Sequence, residues 1–288
     1  MLIHAHPDDE CITTGGALAR YAAEGVRTVL IIATGGEEGE IVVPELNTPA
    51  NLARLHEIRD EELACATKQL NVAVLERLGY RDSGMLGTPA NQHPACFHMV
   101  DKEEATGRLV KLIRQHRPQV LATYDERGGY GHPDHLACHQ VTVAAFAAAG
   151  DAQRFPEAGP PWAPSKLYYT AFPRGPLLRA WTVMRDRGMQ TPLDNPDFDI
   201  GQFTIDDALV TTTIAIHPYI AQKRAAIACH VTQIRTDGPF LAMPDDIAAD
   251  VFGQEYFTLA ASRLAAVPSE NDLFMGVRAE NGERRTED

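Results

Sequence analysis

The chain reads as an α/β protein with a mainly parallel sheet, helices on both faces and a smaller C-terminal extension. Three observations predict it. Short apolar, β-branched runs such as Thr28–Thr34 (TVLIIAT) have the length and composition of buried strands. Longer stretches between them carry helical periodicity or charged faces, and the two kinds of segment alternate through the first 172 residues, as in sheets built from βαβ units. With 288 residues the chain can bury one large core of this kind and an appendage.

The first strand ends near Ala5 and begins almost at Met1, so short a start that an initiator upstream is compatible with it. Thr13-Thr14 before Gly15-Gly16 and the periodic Leu18, Ala19, Tyr21 and Ala22 predict a capped helix. After the Thr28–Thr34 strand, a charged amphipathic helix is expected over Asn51–Leu70, a strand over Ala73–Leu78, and a helix over Lys102–His116. A strand over Gln119–Tyr124, a helix over Pro133–Ala149 and a strand over Lys166–Phe172 follow, with a Pro- and Gly-rich loop at Asp151–Pro164. Beyond Phe172 the regularity weakens to helices near Leu177–Asp186 and His217–Val231. The expected division is a catalytic domain over 1–172, a portion packed over it at 173–278, and a charged, disordered tail at 279–288.

A formal charge of −13 and a pI near 5.3 exclude a nucleic-acid backbone or an anionic membrane surface as partner, since both would be repelled. A small polar molecule is the expected partner, and the pattern specifies no oligomeric state. The five cysteines, Cys11, Cys65, Cys96, Cys138 and Cys229, are scattered, odd in number and lack a C-x-x-C, so reduced core thiols are expected. With no signal segment and no apolar run approaching a membrane span, the expected location is the cytoplasm.

The chemistry concentrates where strands end. His6-Pro7-Asp8-Asp9-Glu10 closes the first strand, and His132-Pro133-Asp134-His135 follows the Gln119–Tyr124 strand after a short loop. One His-Pro-Asp is as readily a turn with a helix cap. Two copies at the carboxyl edge of one parallel sheet instead converge on a single ion, which in hydrolases takes three N/O ligands and keeps a position for water. His6, Asp9 and His135 supply those ligands. Asp8 and His132 are then a base and a protonated partner held by Asp134 or a neighbour, and Tyr130, between glycines, is either in reach of an oxyanion or a plain surface-loop tyrosine.

Elsewhere the functional and plain readings are closer. Gly35-Gly36-Glu37-Glu38-Gly39-Glu40 is a solvated acidic turn or a set of hydroxyl acceptors. Arg59 is by default an exposed helix charge partnered by Glu62, and Asp82 is a hydroxyl acceptor or a turn residue. His56, His93, His98, His116, His139 and His217 are ordinary positions, while His230 is a weaker site candidate because polar residues there interrupt a helical pattern.

Taken together, His4-Ala5-His6-Pro7-Asp8-Asp9-Glu10, Glu38-Gly39-Glu40, Asp82-Ser83-Gly84, Tyr130-Gly131-His132-Pro133-Asp134-His135 and His230-x-Thr-Gln resemble the LmbE/PIG-L zinc deacetylases, nearly to Gly276. The resemblance implies a Rossmann-like fold with one zinc per chain on His6, Asp9 and His135, a place Fe2+ also suits. It further implies Asp8 as general base, His132 with Asp134 as acid or electrostatic partner, Tyr130 on the oxyanion, and Arg59, Asp82 and Glu40 toward an amino-sugar substrate. The branch it looks most like acts in mycothiol metabolism, as an N-acetylglucosaminyl-inositol deacetylase or a mycothiol S-conjugate amidase. Pro160-Pro161-Trp162 and Leu273-Phe274-x-Gly276 look like the amidase, whereas Thr13, where the amidase is expected to carry lysine, and Asp82-Ser83-Gly84-Met85 favour the deacetylase. A non-catalytic nucleotide- or sugar-binding Rossmann-like module is the alternative of another class. It predicts G-x-G-x-x-G after the first strand, where this chain has His-Pro-Asp-Asp.

Overall fold

The computed structural model describes residues 1–238, 240–265 and 270–277. The charged tail expected from residue 279 lies outside the described residues. Among those described, seven strands form one sheet in the order β3-β2-β1-β4-β5-β7-β6. In chain order they are β1 (Leu2–His4), β2 (Val29–Thr34), β3 (Val74–Tyr80), β4 (Val120–Thr123), β5 (Lys166–Ala171), β6 (Thr212–Ala215) and β7 (Gln254–Ser262). The first five run parallel, and β7 pairs antiparallel with both β5 and β6.

The period-2 alternation of the strands feeds two apolar layers. Ile3, Val29, Ile31 and Leu121 pack against Leu109, Val110 and Ile113 of α4 (Lys102–His116) and Val141 and Ala145 of α6 (Pro133–Ala148). Their neighbours face the other way: Leu30 and Ile32 meet Leu63 of α3 (Leu55–Gln69), and on the same side α1 (Asp9–Ala23) packs against α8 (Ile220–Ile227). A central strand buried on both faces must be apolar throughout, which is why TVLIIAT lacks the polar alternation of a surface strand. Each fully buried Leu or Ile contributes about 1.5–3 kcal/mol.

Local chemistry sets the helix ends. Asp101 caps α4 by accepting from the amides of Glu103 and Glu104 at 2.7 and 3.3 Å. The predicted Asn51–Leu70 helix breaks at Arg54 into α2 (Pro49–Ala53) and α3. The helix expected to start at Thr13-Thr14 starts four residues earlier, with Asp8 at its N-cap position. Both hydroxyls donate back to carbonyls one turn before, Thr13 to Asp9 and Thr14 to Glu10, and are spent inside the helix. The short turn α5 (Gly128–Gly131) carries Tyr130, and α7 (Arg174–Asp186) and α9 (Asp245–Phe252) complete the α-helices of the described residues.

Beyond Phe172 the structure is more regular than the sequence suggests. β6 and β7 extend the sheet past β5, and Glu255 of β7 binds the structure together: it accepts from the Gly16 and Ala17 amides of α1 and pairs with Lys223 of α8 at 2.6 Å. A second buried pair, Lys166–Glu270, sits at the β5 edge with Tyr168. Such charges tolerate burial because each is paired and hydrogen-bonded.

The cysteine expectation needs correction. Cys65 and Cys229, 164 residues apart, form a disulfide with Cα atoms 5.7 Å apart. Sequence spacing gives no sign of it because the two meet only where α3 packs against α8. Cys11, Cys96 and Cys138 are free and buried. Among the described residues no helix is long and apolar enough to cross a membrane.

Candidate metal centre

Strand order explains the convergence of the two His-Pro-Asp segments. β1 and β4 are neighbours, and the chain winds outward from them in opposite directions, so the loops that leave their carboxyl ends border one crevice. The segment after β1 brings His6, Asp8 and Asp9, and the loop after β4 brings Tyr130, His132, Asp134 and His135.

His6 is nearly buried and bound at both nitrogens. Nδ1 stands 3.3 Å from Asp9 Oδ2, while Nε2 stands 3.2 Å from Asp134 Oδ2 and 3.6 Å from Asp82 Oδ1. Burial alone would lower its pKa, but the three carboxylates outweigh this and hold it well above the ordinary range. Asp9 Oδ2 also accepts from the His6 amide at 2.9 Å and from Tyr124 Oη at 2.7 Å, and lies 3.4 Å from His135 Nε2. Burial pushes its carboxyl up, yet the imidazoles of His135 and His6 bring it well below the carboxylate range. The His135 ring is steered by the Gly128 carbonyl at Nδ1, 3.2 Å away, and stacks on Tyr124 with centroids 4.0 Å apart. Its Nε2 is buried without a hydrogen-bond partner.

That orphaned nitrogen tests the fit of a metal ion. Donors about 2.0–2.1 Å from a tetrahedral ion stand about 3.3 Å from one another. The His6 Nδ1–Asp9 and His135 Nε2–Asp9 separations, 3.3 and 3.4 Å, have this size. Two other donor groups lie close by, His6 with His132 and His135, and His6 with Asp82 and Asp134. They fit less well. His132 Nδ1 is taken by the Asp134 amide at 3.1 Å, and Asp82 and Asp134 approach His6 from the nitrogen opposite Asp9. A carboxylate behind a histidine in this way fixes its tautomer and orientation.

The remaining expected residues divide sharply. Asp8 is partly exposed and adopts φ 120°. Burial pushes its carboxyl up to about 6, against the pull of Arg59. His132 caps α6; with Nδ1 accepting from the Asp134 amide, a neutral ring carries its proton on Nε2. Burial, then the neighbouring His6 and His135, push it down to about 4. The expectation that Asp134 holds His132 is met only by the Asp134 backbone; its carboxylate faces His6 and accepts from the Ser83 amide and hydroxyl. Tyr130 is half exposed, its ring 5.0 Å from that of His135.

Arg59 is not the exposed helix charge of the default reading. It is buried, and its guanidinium donates to the carbonyls of Gly36 and Pro7 and to Asp8 Oδ2 at 3.1 Å. Glu62, its expected partner, instead accepts from the amide and hydroxyl of Thr232. Asp82 is buried and engaged with the amides of Gly84 and Glu38. Glu40 is exposed and contributes only its carbonyl, to Gln233. Beside the acidic turn is a cavity of about 440 Å³ bordered by Glu37, Glu38, Leu55, His56 and Arg81.

Sequence reasoning missed Tyr124 and gave Glu10 no role of its own. Tyr124 ends the predicted strand on the edge where ligands bind, a signal that could have found it. Glu10 lies within the first motif, and its carboxylate meets His230 Nε2 at 2.9 Å.

The sequence profile of the PIG-L family, described as GlcNAc-PI de-N-acetylase, matches residues 1–146. The chain belongs to this family. It is 43% identical to a 1D-myo-inositol 2-acetamido-2-deoxy-alpha-D-glucopyranoside deacetylase from Catenulispora acidiphila, over 98% of this chain and 90% of that protein. It is 46% identical to one of the same name from Thermobifida fusca, over 90% of this chain and 91% of that protein. Among solved structures, the N,N'-diacetylchitobiose deacetylase from Pyrococcus horikoshii superposes with a TM-score of 0.61 at 19% identity, covering 90% of this chain and 82% of that one. This last likeness is one of fold. The two deacetylases match 98% and 90% of the present chain, so the likeness extends well past the 146 residues of the profile.

Proposed function

We propose that this PIG-L protein hydrolyses the N-acetyl amide of an N-acetylglucosamine joined to inositol, releasing acetate and the free amine. The observation that carries the reading is the meeting of His6, Asp9 and His135, whose Nε2 faces Asp9 with no hydrogen-bond partner, in one buried cluster, in a chain more than 40% identical to proteins named for that deacetylation. The family is metal-dependent. We assign the ion to His6, Asp9 and His135, and its identity to zinc, because three N/O donors at a crevice suit zinc in hydrolases. When bound, such an ion supplies Lewis acidity to a water molecule and to the amide carbonyl.

The protein's own groups do the rest. Asp8 takes a proton from the attacking water and carries it to the leaving nitrogen; its raised pKa suits both tasks. His132, neutral with its proton on Nε2, donates a hydrogen bond to the developing oxyanion rather than acting as an imidazolium. Tyr130, on its glycine-flanked turn, swings its phenol to the same oxygen. Asp134 orients His6. The exposed Glu40 offers an acceptor for sugar and polyol hydroxyls, whereas the two terminal nitrogens of Arg59 and the Asp82 carboxylate are engaged within the protein and support the site from behind. The catalytic part is assigned to residues 1–172, with the later portion packed over it.

The test is acetate release by the metal-loaded enzyme from N-acetylglucosaminyl-inositol, set beside cleavage of a mycothiol S-conjugate. Higher kcat/KM for the acetyl sugar is expected; no acetate release, or preference for the conjugate, rejects the proposal.

A further inference from the structure

Asp8 adopts φ 120° and ψ −34°, a backbone conformation that costs a residue with a Cβ on the order of 1–3 kcal/mol and persists only when its surroundings hold it. Two groups do so. Arg59 binds the Asp8 carboxylate and the Pro7 carbonyl. Glu10 binds the backbone, its Oε2 accepting the Asp8 amide at 2.9 Å.

Glu10 is fully buried, and protein groups meet both of its oxygens. Its other oxygen, Oε1, accepts from His230 Nε2 at 2.9 Å and from Cys11 Sγ at 3.0 Å. A thiol is a weak donor, so His230 is the strong partner that orients this carboxylate. The His230 segment is in turn anchored on both sides, by the Cys65–Cys229 disulfide before it and by the double hydrogen bond of Thr232 to Glu62 after it. Both anchors lead to α3, the helix that carries Arg59.

We propose that His230 is a positioning residue for Asp8: through Glu10 it fixes the strained turn that aims the base. This rests on the reading of Asp8 as the base. Without the His230 donor, the buried Glu10 carboxylate loses its strong partner and is free to rotate, which weakens its hold on the Asp8 amide. The turn then relaxes toward an unstrained φ and the carboxylate moves. A displacement of about 1 Å at a catalytic group is enough to cost about 10² in rate. The ion cluster has its own supports, Tyr124 on Asp9 and Gly128 on His135, so metal binding does not depend on the relay.

The experiment compares His230→Leu with His230→Gln, whose amide N–H restores a donor. In the Leu variant we expect kcat to fall at least about tenfold, with KM and metal content unchanged and faster hydrogen exchange at the Asp8 amide. The Gln variant should recover much of the kcat and the amide protection. If the Leu variant fails to fold, His230→Asn, whose shorter amide falls short of Glu10, takes its place. Unchanged kcat, a Gln variant as poor as Leu, or metal lost in step with kcat overturns the proposal. An unmodified enzyme that releases no acetate would reject the function proposed above, while Asp8 amide exchange still decides the relay without substrate.

Discussion

Arg59 Nη2 lies 3.1 Å from Asp8 Oδ2, joining α3 to the turn after β1 across 51 residues of sequence. The same guanidinium serves the carbonyls of Pro7 and Gly36, so one planar fork fixes the acid group, the peptide before it and the acidic turn opposite. A lysine has a single, more strongly hydrated head group and cannot reproduce this planar fork. Arg59→Lys is therefore expected to lower kcat by about 10 to 100-fold through misplacement of Asp8, with metal content unchanged. Steady-state kinetics with elemental analysis check it; wild-type kcat would show that the fork is dispensable.

Gly36 faces that guanidinium so closely that an added Cβ would overlap the Arg59 Nη1 and Cζ atoms, and its φ of +68° is one that glycine adopts without strain. Gly36→Ala should therefore act on catalysis through Arg59, lowering kcat in the manner of Arg59→Lys. Combined in one chain, the two substitutions should be less than additive, because they disturb one contact. Full additivity in a double-mutant cycle would refute the coupling.

The ion cluster makes a separable prediction. His6→Ala and His135→Ala each remove one of three proposed protein ligands, and the purified variants should hold well under one ion per chain. Full occupancy in both, measured by elemental analysis, would overturn the ligand assignment.

Asp8→Asn should behave in the opposite way. The amide is close to isosteric and does not touch the His6–Asp9–His135 donors, so metal content and KM should persist while turnover falls by the roughly 10² to 10⁴ typical of losing a general base. Near wild-type turnover would remove Asp8 from that role.

For the disulfide, Cys65→Ser leaves the unfolded chain without a cross-link spanning 164 residues. A loss of about 2–4 kcal/mol in unfolding free energy is expected, and reductant should have the same effect on the unmodified protein. Denaturant titrations with and without reductant measure it; coincident curves would mean that the cross-link adds no stability.

Much of this molecule is legible in the sequence because its signals are local. The TVLIIAT run is a strand because a chain buried on both faces must be apolar there, and Asp101 starts a helix because its own side chain caps the next two amides. The same holds for the paired His-Pro-Asp motifs. Alternating strands and helices imply a parallel sheet, and a parallel sheet gathers its post-strand loops at one edge. Where local signals mislead, a long-range partner has intervened. Thr13-Thr14 looked like a cap, but the helix begins at Asp9, after a strained turn that Arg59 and Glu10 hold.

The sequence by itself determined the fold class, the cluster of candidate ligands and the family, all of which follow from short-range pattern and residue type. Tertiary structure decided what each charged group is for. Arg59 and Glu62 share a helix surface three residues apart, and from spacing alone they should pair. Burial separates them, because a charge removed from water takes whatever partner the packing offers: Asp8 for Arg59, the Thr232 amide and hydroxyl for Glu62. Only the packing of α8 against both α3 and α1 brings Cys65 to Cys229 and sets His230 against Glu10, contacts between residues too far apart for any sequence period to register.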